Sequence, residues 1–154
     1  FPNRLKLLAE WTRAGGGLLM CGGYYSFAGI YAAAKYYRSP LEPVLPVDIF
    51  TFDDRVESPE GAHPKIVDPQ HPLVAGMGDE WPALLGFNEL TLKSSAHLIA
   101  AVDQNPLLAC MDVNEGRSLI WASDIGPHWC PKGFAEWAGY AKLWQNAIIW
   151  LANS

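Results

Sequence analysis

The start of the chain has a helical pattern of apolar positions that gives way to a short apolar run. Asn3 can cap a helix, and the apolar residues at 5, 8, 9 and 11 fall roughly on one face of it. Glycines at 15–17 end this helix, and residues 18–21 are then uninterruptedly apolar. Such a run is typical of a strand buried on both faces of a parallel sheet, so the two elements form half of a βαβ unit.

The later patterns predict a mixture of strands and helices within one α/β domain spanning residues 1–154. A short helix is expected over 27–38 and a long one over 134–152, whose apolar stripe includes Trp137, Trp144 and Leu151. Polar turns are expected at 53–55, and an irregular surface loop is expected over 59–72. Strands are predicted at 47–52, 87–92, 97–102, 107–113 and 117–123, the last two joined as a hairpin through the turn at 114–116.

Composition and charge narrow the classes of function. The 154 residues carry a net charge of −5 with no cluster of Lys and Arg, which argues against nucleic-acid binding. No apolar run reaches the roughly 18 residues that a membrane-spanning helix needs. Three widely spaced cysteines, Cys21, Cys110 and Cys130, form neither a disulfide framework nor a zinc motif, so we expect reduced thiols in a cytoplasmic protein with no metal or other cofactor.

The glycine turn after the first strand is the first candidate for chemistry. In parallel α/β sheets, ligands bind beyond the carboxyl ends of the strands, and Gly22 and Gly23 can expose backbone N–H groups there. Cys21 is a nucleophile if a base lies nearby, or else a small, inert core residue. The hydroxyl of Ser26 is a second candidate nucleophile in the same turn.

The segment Ser123–Trp129, SDIGPHW, also follows a predicted strand and could lie at the same edge of the sheet. His128 is the best candidate for a general base, with Asp124 as the carboxylate that orients it. Alternatively, Asp124 caps the loop and His128 packs against Trp129. Spacing alone cannot pair His128 with Cys21 or Ser26.

The remaining charged motifs have simpler explanations. Asp53 and Asp54 are paired carboxylates, which suggests a metal, but we expect them to face water with Arg55 as an internal ion-pair partner. His63 and His71 each precede a proline and lack the spacing of metal ligands, so surface positions are expected.

Several of these segments together resemble a bacterial family described as "putative glutamine amidotransferase". They are RLKLLAEWTRAGGGLLMCGGYYSFAGI, LEPVLPVDIFTFDDRVESPEG, HPLVAGM, WPALLGFNELTLK, GRSLIWASDIGPHW and FAEWAGYAKLWQNAIIWLA, which cover nearly the whole chain. The resemblance implies a three-layer flavodoxin-like fold of the class I glutamine amidotransferase-like superfamily. That fold has a mostly parallel central sheet, here with an antiparallel extension. Full-length members of the family carry further βα units upstream, so the resemblance implies that this chain is the later part of a longer protein and lacks those units.

The chain departs from the catalytic pattern of working glutaminases in that superfamily. Their elbow reads Gly-x-Cys-x-Gly; Cys21 and Gly23 match it, but Leu19 stands at the first glycine. A shift of one residue would put Gly22 at the nucleophile position. Their later His-x-Glu pair is absent, because Trp129 and Cys130 follow His128.

Two hypotheses therefore remain at the level of the sequence. One is an amidotransferase-like hydrolase with an incomplete triad, in which Cys21 or Ser26 attacks, His128 acts as the base and Gly22 and Gly23 donate N–H groups. The other is a non-catalytic domain that binds a small sugar-like or nucleotide-like molecule or forms a homo-oligomer. In it, the ligand would contact the aromatic residues near the turn, Tyr24, Tyr25 and Trp129.

Overall fold

A computed structural model describes residues 3–152 of the chain. Its helices are α1 (Arg4–Arg13), α2 (Lys132–Ala135) and α3 (Ala138–Ala152). Its strands are β1 (Gly17–Cys21), β2 (Val47–Ile49), β3 (Arg55–Ala62), β4 (Lys65–Ile66), β5 (Leu84–Asn88), β6 (Leu90–Leu92), β7 (His97–Val102), β8 (Asn105–Val113) and β9 (Gly116–Trp121). Short 3₁₀ turns cover Ile30–Ala32, Glu42–Val44 and Pro72–Val74.

The strands form a five-stranded sheet in the order β1-β9-β8-β7-β4 and two small sheets, β2-β6 and β3-β5. Only β1 and β9 are parallel; the β9-β8, β8-β7 and β7-β4 pairs are antiparallel. The expectation of a mostly parallel central sheet is therefore wrong for residues 3–152. Sequential hairpins build most of this sheet, and a hairpin necessarily makes an antiparallel pair.

Helices cover both faces of the sheet at the β1-β9 pair. Gly116 of β9 lies against the carbonyl oxygen of Thr12 in α1, where even a Cβ atom would not fit. The next residue, Arg117, donates from Nη1 to the carbonyl oxygen of Trp150 in α3 at 3.1 Å. Because successive strand residues point to opposite faces, α1 and α3 lie on opposite sides of the sheet.

Several predicted elements are confirmed. Asn3 caps α1 by accepting hydrogen bonds from the N–H groups of Leu5 and Lys6. The run after the glycines forms β1, although the side chains of one face are only half buried. The hairpin is the β8-β9 pair, and its turn has Asn114 at φ 55°, a conformation that Asn tolerates well.

The predicted helix over 27–38 is wrong. Tyr31 and Ala32 have φ values of 52° and 54°, so only a 3₁₀ turn forms. Aspartate carboxylates accept hydrogen bonds from the N–H groups of Ala28, Gly29 and Tyr31, and the last of these would bond to the Phe27 carbonyl in the predicted helix. Hydrogen bonds to residues distant in sequence therefore determine the conformation of residues 27–38, and the local helical propensity does not.

Two other boundaries also differ from prediction. The expected loop over 59–72 contains the end of β3 and all of β4, and the β3-β5 register is irregular between Glu57 and Ala62. Pro59 lies in that interval and has no N–H to donate, which favours such an interruption. The predicted final helix is two helices, α2 and α3, with a break at residues 136–137.

No helix within residues 3–152 is long and apolar enough to cross a membrane.

Candidate functional site

The candidate site lies where β1 and β9 end side by side. Cys21 and Trp121 are register partners in this parallel pair, so the loops after both strands leave from the same edge. Gly22 donates its N–H to the carbonyl oxygen of Trp121 at 2.7 Å. Gly23, at φ 128°, approaches Asp124 so closely that a Cβ atom would lie 2.5 Å from Oδ1. The structure thus brings the glycine turn and the SDIGPHW segment together.

A buried amide fixes the glycine turn from below. Asn88, at the end of β5, accepts a hydrogen bond from the N–H of Gly23 at 2.8 Å and donates to the Gly23 carbonyl at 3.2 Å. Its Nδ2 also donates to Asp54 Oδ1 at 2.8 Å. Both side chains are almost fully buried, at 0% and 1% exposure. Asn88 therefore joins the turn to a second strand system, and no sequence pattern had singled it out.

Asp54 corrects the expectation that both carboxylates of the 53–55 turn face water. Its carboxylate accepts hydrogen bonds from the N–H groups of Ala28 and Gly29 at 2.8 and 2.9 Å. Burial raises its pKa above the ordinary value, although the hydrogen bonds that it accepts oppose the rise. Asp53 is the partner of Arg55, as expected, through two hydrogen bonds of 2.9 and 2.8 Å. These bonds hold the pKa of Asp53 well below its usual range.

Glu57 is a site residue that the sequence reasoning missed. It accepts a hydrogen bond from Tyr24 Oη at 2.5 Å and another from Trp129 Nε1 at 3.1 Å. Burial alone would raise the pKa of Glu57, but these two bonds and the nearby His128 and Arg55 lower it below its ordinary value. Glu57 is therefore ionised at neutral pH.

Arg55 and Glu57 lie two residues apart on β3, so both side chains belong to one face of that strand. The guanidinium carbon of Arg55 lies 4.4 Å from the centre of the Tyr24 ring, and Glu57 bonds the hydroxyl of the same ring. This i, i+2 spacing of opposite charges was the only signal in the sequence that could have drawn attention to Glu57. It is a common pattern on exposed strands and identifies a site only once Tyr24 is placed.

His128 and Asp124 are paired. His128 Nδ1 lies 3.1 Å from Asp124 Oδ2, and the same oxygen accepts the N–H of Trp129 at 3.1 Å. The imidazole packs edge-on against Tyr24, with ring centres 4.5 Å apart, and is 47% exposed. His128 also has φ 115°, a strained backbone conformation for a residue other than glycine. The structure thus places the two residues in contact, while Asp124 also accepts a backbone N–H of the loop and the His128 ring lies 5.7 Å from that of Trp129.

The expected nucleophiles are placed differently. Burial raises the pKa of the Cys21 thiol to about 11. Ser26 Oγ donates to the carbonyl oxygen of Cys21, so the hydroxyl closes the turn. Within residues 3–152, no hydrogen bond joins either side chain to His128.

The backbone donors and aromatic residues also need correction. The N–H groups of Gly22 and Gly23 are already taken by Trp121 and Asn88, so they are not free for a ligand. Trp129 is only 1% exposed, and its indole N–H donates a hydrogen bond to Glu57. Tyr25, at 74% exposure, and the half-buried Tyr24 remain accessible. The surface of the site therefore presents Tyr25 together with the polar groups of Tyr24, Glu57 and His128.

The described residues contain no group of three or more His, Cys, Asp or Glu side chains that could hold a metal ion. His71, expected at the surface, is instead half buried, caps a 3₁₀ turn and lies 3.8 Å from the Cys110 thiol. His63 is exposed, as expected.

Fold and site together define an α/β protein whose polar groups converge at the carboxyl edge of one parallel strand pair. The family model described as "Putative glutamine amidotransferase" matches residues 1–153, and the chain belongs to this family. No curated protein matches the chain.

Solved structures of two cytoplasmic proteins from Salmonella typhimurium are similar over most of the chain. Each is 40% identical with a TM-score of 0.94, and the match covers 97% of this chain. The chain spans only 61% of the length of each. A cold-adapted β-galactosidase from Rahnella sp. R3 shares the fold alone, with 14% identity, a TM-score of 0.57, and coverage of 93% of this chain and 21% of the enzyme.

Proposed function

We propose that the chain carries the ligand site of a glutamine amidotransferase-like protein and binds a small polar molecule without a cysteine nucleophile. The observation that carries this proposal is the convergence of Tyr24, Glu57 and His128 at the β1-β9 edge, each held by a partner. The site offers an anionic acceptor, an imidazole and an aromatic face. A hydroxyl-rich molecule such as a sugar, or a nucleoside, suits that combination.

The state of Cys21 argues against a thiol mechanism. With a pKa of about 11, on the order of one thiol in ten thousand is ionised at pH 7. Enzymes that use cysteine lower this pKa with a nearby imidazolium or a helix N-terminus. Cys21 has no such neighbour among the hydrogen bonds and ion pairs of residues 3–152.

The His128–Asp124 pair favours a second candidate function, namely hydrolysis in which His128 activates a water molecule. Asp124 fixes the imidazole through Nδ1, which would leave Nε2 to accept a proton. The strained backbone at His128 fits a residue held in place for such a role. In this candidate, Glu57 binds the substrate beside the imidazole.

We also infer that the intact protein is flavodoxin-like, with helices on both faces of a sheet that is more parallel than the described part. Support comes from the parallel β1-β9 pair at one edge of the sheet and from α1 and α3 on opposite faces. The Salmonella relatives are longer, which leaves room for further βα units beside β1. Their cytoplasmic designation supports the same location for this protein.

The test compares glutamine hydrolysis with ligand binding in the full-length protein. A panel of sugars, nucleosides and glutamine is screened by thermal shift, and ammonia release from glutamine is measured for wild type and Cys21→Ala. We expect no thiol-dependent ammonia release, and a ligand shift that survives in Cys21→Ala. Glu57→Gln and His128→Ala should each weaken binding of that ligand about tenfold or more, because each removes one hydrogen-bonding group.

Glu60→Gln is the matched control, because Glu60 is an exposed glutamate on the same strand and lies outside the site. Its binding should equal that of wild type. Glutamine turnover that disappears in Cys21→Ala would refute the proposal. Ligand turnover that disappears in His128→Ala, but persists in Cys21→Ala, would favour the hydrolase.

A further inference from the structure

A cavity of about 590 Å³ lies on the other side of β3, away from the candidate site. Val56 lines it, and because Val56 stands between Arg55 and Glu57 on the strand, it faces the opposite way. The volume falls within the roughly 300–1,000 Å³ of typical small-molecule pockets. The cavity is formed where the two small sheets meet β7 and β8, and none of the residues discussed as the candidate site lines it.

The interior of this cavity is apolar. Phe87, Leu90 and Val102 are buried beneath it, and Phe50 and Leu98 are half-buried along its sides. An apolar or aromatic body placed in the cavity would contact these side chains. Transfer of such a body from water is favourable in proportion to the apolar area that it buries.

The amide at the base of the cavity is already used. Asn105 Oδ1 accepts the N–H of Leu90 at 2.9 Å, and its Nδ2 donates to the carbonyl oxygen of Asn88 at 3.1 Å. The amide therefore fixes the wall and has little capacity to bind a ligand. Recognition of a charged group depends on the charged residues of the lining.

Those charged residues are Glu89 and Asp103, and both are exposed. Within residues 3–152, neither carboxylate has an ion-pair partner, and the lining contains no Lys, Arg or His. Asp53, in the turn before β3, differs in this respect because it is paired with Arg55. The charge of this cavity is therefore negative and uncompensated.

We propose that this cavity binds a small organic cation, an amine carried on an apolar or aromatic body. The body occupies the space between Phe50, Phe87 and Leu98, and the ammonium group lies at the carboxylates of Glu89 and Asp103. Charge complementarity selects an amine over an acid of the same shape. The binding is independent of the β1-β9 site, so either proposal can fail without the other.

The test titrates the full-length protein with 2-phenylethylamine, 2-phenylethanol and phenylacetate by isothermal calorimetry at pH 7. These probes share an aromatic ring and differ in charge. The amine should bind most tightly, the alcohol more weakly and the acid least. Equal binding of the amine and the acid would overturn the proposal, and so would failure of the amine to bind.

Variants separate the two parts of the recognition. Glu89→Gln with Asp103→Asn should weaken the amine about tenfold and leave the alcohol within about twofold, since exposed ion pairs contribute modestly. Asparagine suits position 103, where φ is 52°, so folding should be preserved. Glu60→Gln should leave all three affinities unchanged.

Leu98→Trp fills the cavity and should abolish binding of every probe, with circular dichroism showing an unchanged fold. If that variant does not fold, the charge variants still decide the outcome. Amine binding unaffected by the double charge variant would overturn the proposal. Self-association of the protein that excludes the amine would also overturn it, because the cavity would then be covered by a second copy.

Discussion

At the scale of single residues, burial decides what Cys21 can do. The thiol ends an apolar strand and is half buried, and the environment disfavours its charged form. A cysteine exposed to solvent beside an imidazolium would have a lower pKa and could react as a thiolate nucleophile. A cysteine in a glycine turn therefore does not by itself indicate catalysis.

Alkylation of Cys21 by iodoacetamide, measured by mass spectrometry of the native protein, should be roughly a hundredfold slower at pH 7 than that of glutathione. The reaction needs thiolate, so its rate should rise with pH toward the pKa of about 11. In urea the difference should vanish. Rapid modification at neutral pH would contradict this assignment.

The same pKa has a consequence for stability. Above about pH 9, the unfolded chain loses this proton more readily than the folded chain does. The contribution of Cys21 to the free energy of unfolding is therefore complete below pH 9 and falls as the pH rises toward 11.

At the scale of elements, the site depends on how closely α3 packs on β1. Gly17 lies against Leu151 of α3, and a Cβ atom at this position would be 2.4 Å from the Leu151 carbonyl oxygen. The absence of a side chain lets helix and strand approach, and that approach helps to fix the strand that leads into the glycine turn.

Gly17→Ala should lower the free energy of unfolding by about 1–3 kcal/mol, because the helix must move away from the strand. Urea denaturation measures the change. Gly126→Ala is the control, since nothing lies within 4 Å of its Cβ position and its φ is not positive. Equal stability of the two variants would show that the contact is more adaptable than the structure indicates.

At the scale of the whole molecule, Asn88 connects parts that lie far apart in the sequence. It stands 65 residues from Gly23 and 34 from Asp54, yet its side chain bonds to both. Its backbone N–H also donates to the Ala122 carbonyl at 2.7 Å. The Asn88 side chain is therefore one of the buried links between the β3-β5 sheet and the β1-β9 edge, beside the hydrogen bond from Ser123 Oγ to the Gly86 carbonyl oxygen.

Asn88→Ala should lower the free energy of unfolding by about 2–4 kcal/mol, since it leaves buried groups of Gly23 and Asp54 without this partner. Hydrogen exchange at the amides of Gly23 and Gly29 should also accelerate. Gln70→Ala, at an exposed position, provides the control and should change neither measurement. Unchanged exchange at Gly23 would mean that the turn is rigid without the amide.

The sequence by itself determined the elements whose signals are local. Asn3 caps α1, the apolar run forms β1, and the turn at Asn114 closes the β8-β9 hairpin. It also pointed to Asp124 and His128, because both follow a strand in a polar segment. Family membership agrees with the motifs around Gly22 and Gly23.

Only the tertiary structure decided which groups the site presents. Asp54 and Asn88 are buried because distant segments close over them, and no local pattern encodes that burial. Asp54 accepts a backbone N–H of residues 27–38, which do not form a helix, and Asn88 accepts the N–H of Gly23. Packing of β3 near the glycine turn also places Glu57 within hydrogen-bond distance of Tyr24. Hydrogen bonds between residues far apart in sequence depend on the packed fold, so the glycine turn could be located from the sequence while its chemistry could not.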